Sequence, residues 1–149
     1  MANFHSLKRL LEHAQQQLDD SATKLARLNL KQQESEKTLK LLVDYRRSYQ
    51  NRFMASAGEG IDPVEWRNYQ AFIGKLDTAI GEQQKVVARS LQHTAAGHAE
   101  FHAHRRRLKS YGTLAQRHQL GHAAQLSKQE QRQQDEHTTN GISHRSRSR

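Results

Sequence analysis

Three kinds of residue cluster in this 149-residue chain could do chemistry. The first is Gly58-Glu59-Gly60-Ile61-Asp62-Pro63-Val64-Glu65-Trp66, whose glycines could let backbone N–H groups approach a phosphate. A phosphate-cradling loop follows a strand and carries a Lys with Ser or Thr after its glycines, so that a cation and the N–H groups meet the anion together. Here the preceding LLVDYRRSYQNRFMASA has no alternating β-branched run, and the residues after the glycines open a helix. Asp62 can accept the orphan N–H groups of a first turn, Pro63 suits the first helical position because its missing N–H would go unused there, and Glu65 completes a capping box. The stretch reads as a loop entering a helix.

The second cluster is histidine. His98 with His102, and His118 with His122, stand four apart, a spacing at which one helix face can grip a divalent metal. With no Cys in the chain and no carboxylate ligands beside them, and with no fixed support for the imidazoles evident, only adventitious binding is expected, so neither a physiological metal nor a cofactor is assigned. The third cluster is basic. From Arg105 onward, ten Lys or Arg stand against three acids and supply +7 of the formal +9, beginning with Arg105, Arg106, Arg107 and Lys109. Such a run favours acidic protein surfaces, phospholipid headgroups or nucleic acid. No helix-turn-helix, aromatic RNA-binding motif or zinc finger accompanies RRR or RSRSR, so salt-sensitive, non-specific adhesion is expected of them and no specific nucleic acid is assigned. A basic coiled-coil nucleic-acid-binding or scaffold protein is the runner-up reading. No Ser/His/Asp set or carboxylate pair is readable, and an enzyme is not expected.

The elements that must position these residues follow from composition and period. Only 34% of residues are hydrophobic, with 8 Gly and 1 Pro, too few to fill a wide globular core and suited to long solvated helices. No window approaches the roughly 18 apolar residues of a membrane span, and the opening MANFHSLKRLLEHAQQQ has no secretory apolar core, so a soluble cytoplasmic protein is expected. Steps of seven from Phe4 and from Leu7 meet mostly apolar residues as far as Phe53 and Tyr49, a sustained coiled-coil seam. After Pro63 the step gives a strong series, Trp66, Ile73, Ile80, Val87, Thr94, Phe101 and Leu108, and a weaker one, Tyr69, Leu76, Gln83, Ser90, Gly97 and His104.

If the chain folds back at the loop, the residue numbers of facing positions keep a constant sum: Phe53 faces Trp66, Leu39 faces Ile80, Leu25 faces Thr94 and Leu11 faces Leu108. The soft layers coincide too, Ser35 with Gln83 and Ser21 with Gly97, so the middle is expected to pack loosely. The fold class is therefore all-α, a long antiparallel two-helix coiled coil about 75 Å long at the helical rise. The hairpin occupies residues 1–126, with one arm over about 3–56, a loop over about 57–62 and a second arm over about 63–120. A basic tail, residues 127–149, is polar enough to be disordered. Two helices bury one seam, yet Phe72, Leu76 and Ala79 on one arm and Leu42, Tyr45 and Tyr49 on the other form further apolar stripes that converge near the loop. They either widen the core locally or make a docking surface.

The segments LLVDYRRSYQNRF and WRNYQAFIGKLDTAI, with the turn between them, resemble the FliJ family of the bacterial flagellar type III export apparatus. The resemblance spans roughly residues 5–118 and is densest from Leu39 to Ile80. It implies an antiparallel coiled coil like the stalk subunit of rotary ATPases, which inserts in the hexameric export ATPase, promotes its assembly and activity, docks on the cytoplasmic part of the export-gate membrane protein and handles export chaperones. It also implies a cytoplasmic protein recruited to the inner face of the membrane only through that apparatus. Carried across by position, the family's gate-contact surface falls on Leu42, Tyr45, Tyr49, Phe72, Leu76 and Ala79, with Thr38 and Gln83 at its ends. No chaperone-contact residue can be carried across.

Overall fold

The computed structural model describes residues 2–147. Helix α1 spans Ala2–Ala57 and helix α2 spans Pro63–Arg147, with no strand among the described residues. The two pack antiparallel as a helical hairpin, and the chain divides into a turn unit, residues 18–103, and a terminal unit, residues 1–17 with 104–149.

The turn is built as its residue types dictate. Backbone bonds Glu59 N–H to Ser56 O (3.2 Å) and Gly60 N–H to Ala57 O (3.1 Å) close the end of α1, and Gly60 takes φ 103°, a conformation a side chain disfavours. Asp62 caps α2: its Oδ1 accepts the Val64 N–H at 3.3 Å and its carbonyl accepts the Trp66 N–H at 3.1 Å. The reciprocal capping-box bond from Glu65 is not made.

In the turn unit the helix–helix contacts run in the expected direction. Gln83 Nε2 donates to the Ser35 carbonyl at 3.0 Å, and the Ser35 and Ser90 hydroxyls share a hydrogen bond of 3.0 Å. Thr94 Oγ1 donates to the Ser90 carbonyl of its own helix at 2.9 Å and lies 3.4 Å from the Leu28 carbonyl oxygen rather than meeting Leu25 alone, because a coiled-coil residue sits in a hole formed by several neighbours one turn apart. Two ion pairs cross the seam, Arg46 Nε to Asp77 Oδ1 at 2.6 Å and Lys24 Nζ to Glu100 Oε2 at 3.1 Å.

Two expectations about the seam are refined. The layer of Ser21 and Gly97 does not pack loosely, since Ser21, Thr94 and Gly97 are among the most buried residues of the chain, whereas a groove opens beside Ser35, Gln83 and Ser90. A Cβ added at Gly97 would lie 2.7 Å from Leu28 Cδ1 and 3.3 Å from Leu25 Cδ1, so the leucines of α1 fill the space a side chain would need there. On α2 the axis of the interface also lies mostly on the series that sequence ranked weaker, Thr94 being the one buried member of the stronger series. Ala14, Ser21 and Ser35 on α1 and Tyr69, Leu76 and Gly97 on α2 are buried, while Leu11, Leu25, Leu39, Ile73, Ile80 and Val87 flank them half-buried. In a two-helix interface only a narrow strip faces the partner's axis, and bulky side chains cover it from the sides.

The terminal unit is thinner in apolar contact. Ala14 is buried, Leu7, Leu11, Leu108, Tyr111 and Ala115 are half-buried, and the Phe4 ring lies 5.7 Å from that of His118. Helix α2 continues through the stretch assigned to a disordered tail, with every residue from 116 to 147 exposed. Ser148 and Arg149 of the RSRSR motif lie outside the described residues.

Candidate docking surface

Six aromatic rings converge within the turn unit. Phe53 stacks on Tyr69 with centroids 3.9 Å apart and planes 8° from parallel, and Tyr49 lies 5.8 Å from Tyr69 and 4.6 Å from Phe72. Trp66 sits 5.9 Å from Phe53, and Tyr45 meets Phe72 edge-on at 6.1 Å. Apart from the closer Phe53–Tyr69 stack, these separations fall in the range that aromatic pairs favour, and the edge-on meeting of Tyr45 with Phe72 suits their quadrupoles. The rings reach one another because Tyr45, Tyr49 and Phe53 stand four apart on α1, while Trp66, Tyr69 and Phe72 stand three apart on α2.

Burial sorts the six carried-over positions. Leu76 is 7% exposed and belongs to the seam, so it can support a surface but offers little of itself to a partner. Leu42, Tyr49, Phe72 and Ala79 are half-buried, and Tyr45, at 47% exposed, is the most open. Phe72 therefore does both things the sequence left open: it widens the core against Tyr49 and still reaches solvent beside Tyr45. Of the two end positions, Gln83 is held across the seam by Ser35, and Thr38 donates to the Glu34 carbonyl at 3.0 Å while remaining exposed.

Sequence placed Trp66 on the strong seam series, opposite Phe53. The ring contact is present, yet Trp66 is 40% exposed and Tyr69 takes the buried place. Val64 and Ile61 are exposed beside it, so apolar surface continues from the aromatic face to the turn, an extension that heptad spacing did not signal. A groove lined by Tyr49, Phe53, Tyr69, Gly60, Glu65 and Asn68 opens there.

The polar frame beside the rings is fixed. Arg46 binds Asp77 through Nε and donates through Nη1 to Gln50 at 3.3 Å. The Asp77 hydrogen bond, reinforced by its charge, raises the guanidinium pKa above its ordinary value, so Arg46 stays a cation throughout the working pH range.

Both histidine pairs are exposed on α2. The His98 and His102 rings stack 6.3 Å apart on one exposed face of α2, and no group of three metal-ligating side chains forms among the described residues. Arg105, Arg106, Arg107 and Lys109 are all exposed and span more than a full turn of α2, so they do not converge on one point.

The described residues form a two-helix coiled-coil hairpin with a joined, partly exposed aromatic face. The chain belongs to the FliJ family: the family described as flagellar FliJ protein matches residues 3–147. A flagellar FliJ protein of Salmonella typhi is 28% identical over 136 residues, covering 91% of this chain and 92% of that one. A flagellar FliJ protein of Escherichia coli (strain K12) is 27% identical over 136 residues with the same coverage. No solved structure gives a significant match. Membership makes the chain a component of the flagellar export apparatus. No helix among the described residues is long and apolar enough to cross a membrane.

Proposed function

We propose that the chain is a non-enzymatic stalk of the export apparatus, which inserts in the hexameric export ATPase, promotes that enzyme's assembly and activity, docks on the cytoplasmic part of the export-gate membrane protein and handles export chaperones. The family match over residues 3–147, on a two-helix hairpin, carries the reading. Two unlike helices present unlike faces to a sixfold ring, and a ligand that binds only the assembled ring stabilises it over free subunits by mass action. Catalysis then belongs to the partner. The protein works in the cytoplasm and reaches the inner face of the membrane at the flagellar base by binding the apparatus.

Gate docking is assigned to the face of Tyr45, Tyr49 and Phe72, with Leu42 and Ala79 at its margins and Leu76 beneath. Its support is the exposure of Tyr45 together with its ring contact to Phe72, because interfaces concentrate their energy in partly exposed aromatic anchors. The test is ATP turnover by the isolated export ATPase across a concentration series of this protein, with a pull-down against the gate's cytoplasmic domain. Turnover should rise and the gate domain should be retained. Neither effect at any concentration would move the assignment to the nucleic-acid or scaffold reading.

A further inference from the structure

Charge is divided unevenly between the two units. The turn unit carries twelve Lys or Arg against eleven acids, whereas the terminal unit carries twelve against four, Glu12, Glu130, Asp135 and Glu136, so the terminal unit holds +8 of the formal +9. Sequence showed only part of this, because Lys8 and Arg9 join the basic stretch of α2 through the fold.

Within that unit the cations are ordered. Arg106, Lys109, Arg117, Leu120, Ala124 and Lys128 recur at helical spacings on the face of α2 opposite the half-buried Leu108, Tyr111 and Ala115. All six are exposed, no acid interrupts them, and none of the four cations has an ion-pair partner among the described residues. The stripe is about 33 Å long at the helical rise.

We propose that this stripe is a binding surface for an anionic lipid bilayer, on which α2 lies through Arg106, Lys109, Arg117 and Lys128. A convex row on a bare helix has no concavity to enclose a peptide or a base, but a cylinder resting on a plane touches it along such a line. Basic side chains gain from the negative potential of anionic headgroups, and Leu120 and Ala124, set among them, match the boundary between headgroups and acyl chains. Nucleic acid suits the row less well, since none of its members is an aromatic for base stacking. The stripe lies in the terminal unit and the aromatic face in the turn unit, so the proposal stands apart from gate docking.

The test is co-sedimentation of the full chain with vesicles of phosphatidylcholine, alone or mixed with phosphatidylglycerol. Two variants are compared: Arg106→Gln/Lys109→Gln/Arg117→Gln/Lys128→Gln, and a control with the same charge loss from exposed positions of the turn unit, Lys31→Gln/Lys37→Gln/Lys40→Gln/Lys75→Gln. Circular dichroism verifies that both remain helical. The unaltered chain and the control should bind the anionic vesicles at least about tenfold more tightly than the neutral ones, added salt should weaken the binding, and the stripe variant should lose most of the preference. Equal loss in both variants makes net charge alone the cause and overturns the proposal. So does failure of the unaltered chain to prefer anionic vesicles, or tighter binding to duplex DNA than to them in the same buffer.

Discussion

Two glycines on the same helix carry opposite expectations. Gly74 is surrounded by open space, so Gly74→Ala should stabilise the hairpin by about 0.5–1 kcal/mol through helix propensity alone. At Gly97 the new methyl meets Leu28 Cδ1 at 2.7 Å and Leu25 Cδ1 at 3.3 Å, and moving those side-chain ends offsets the gain by about 1–3 kcal/mol. Thermal melts should rank Gly74→Ala above the parent and Gly97→Ala at or below it; equal gains would mean the helices are not in close contact there. Phe72 and Leu76 separate folding from docking in the same way. Leu76→Ala empties a buried seam position and should cost about 2–5 kcal/mol of stability. Phe72→Ala loses ring contacts to Tyr49 and Tyr45 on a half-buried face and should cost about 1–2 kcal/mol, while weakening gate binding by about 2 kcal/mol. Melts and gate binding on both variants decide the matter. If Phe72→Ala unfolds the hairpin as readily as Leu76→Ala and leaves gate affinity intact, its ring is core.

At the scale of the helices, α2 keeps an apolar contact with α1 as far as His118, which meets Phe4, but from residue 127 to 147 it has backbone hydrogen bonds and every residue exposed. Helix without tertiary packing is marginal in water, so amides from about residue 127 onward should exchange with solvent far faster than those of residues 66–80. Equal protection would require a partner for that segment, such as a second copy. The helices, their turn and their antiparallel pairing were legible because the heptads, Asp62-Pro63 and the matched layers all pointed one way. The depth of each layer was not. Heptad spacing yields two series per helix and ranks them by bulk, whereas the buried places include Ala14, Ser21, Ser35 and Gly97, whose smallness counts against them on a hydrophobicity scale. For the same reason Tyr69 outranked Trp66 for the buried place: the smaller ring fits flat against Phe53. The candidate surface was legible as a convergence of stripes, but its proposed role as a gate contact rests on family resemblance alone. The uneven charge needed the fold, because Lys8 and Arg105 lie far apart in sequence yet in one unit.

For the molecule as a whole, a pI of about 10.2 means that encounters with acidic partners are steered by charge, so stimulation of the ATPase should need more protein as ionic strength rises. Stimulation indifferent to salt would leave apolar contact as the main attraction. The turn also fixes an order of events during folding. Separations along the chain grow steadily away from it: 31 residues for Arg46 with Asp77, 48 for Ser35 with Gln83, 66 for Thr94 with Leu28 and 76 for Lys24 with Glu100. Each contact made shortens the loop that the next must close, so no step carries the full entropy of a long closure, and the chain can zip from Gly60 outward. The first layers to form are Phe53 with Tyr69 and Tyr49 with Phe72. Substitutions there should slow folding, whereas substitutions at Leu11 or Leu108 should mainly hasten unfolding. The aromatic rings beside the turn would then hold the nucleus from which the arms grow, and a nascent chain could not close its hairpin until the residues just past Pro63 had been synthesised.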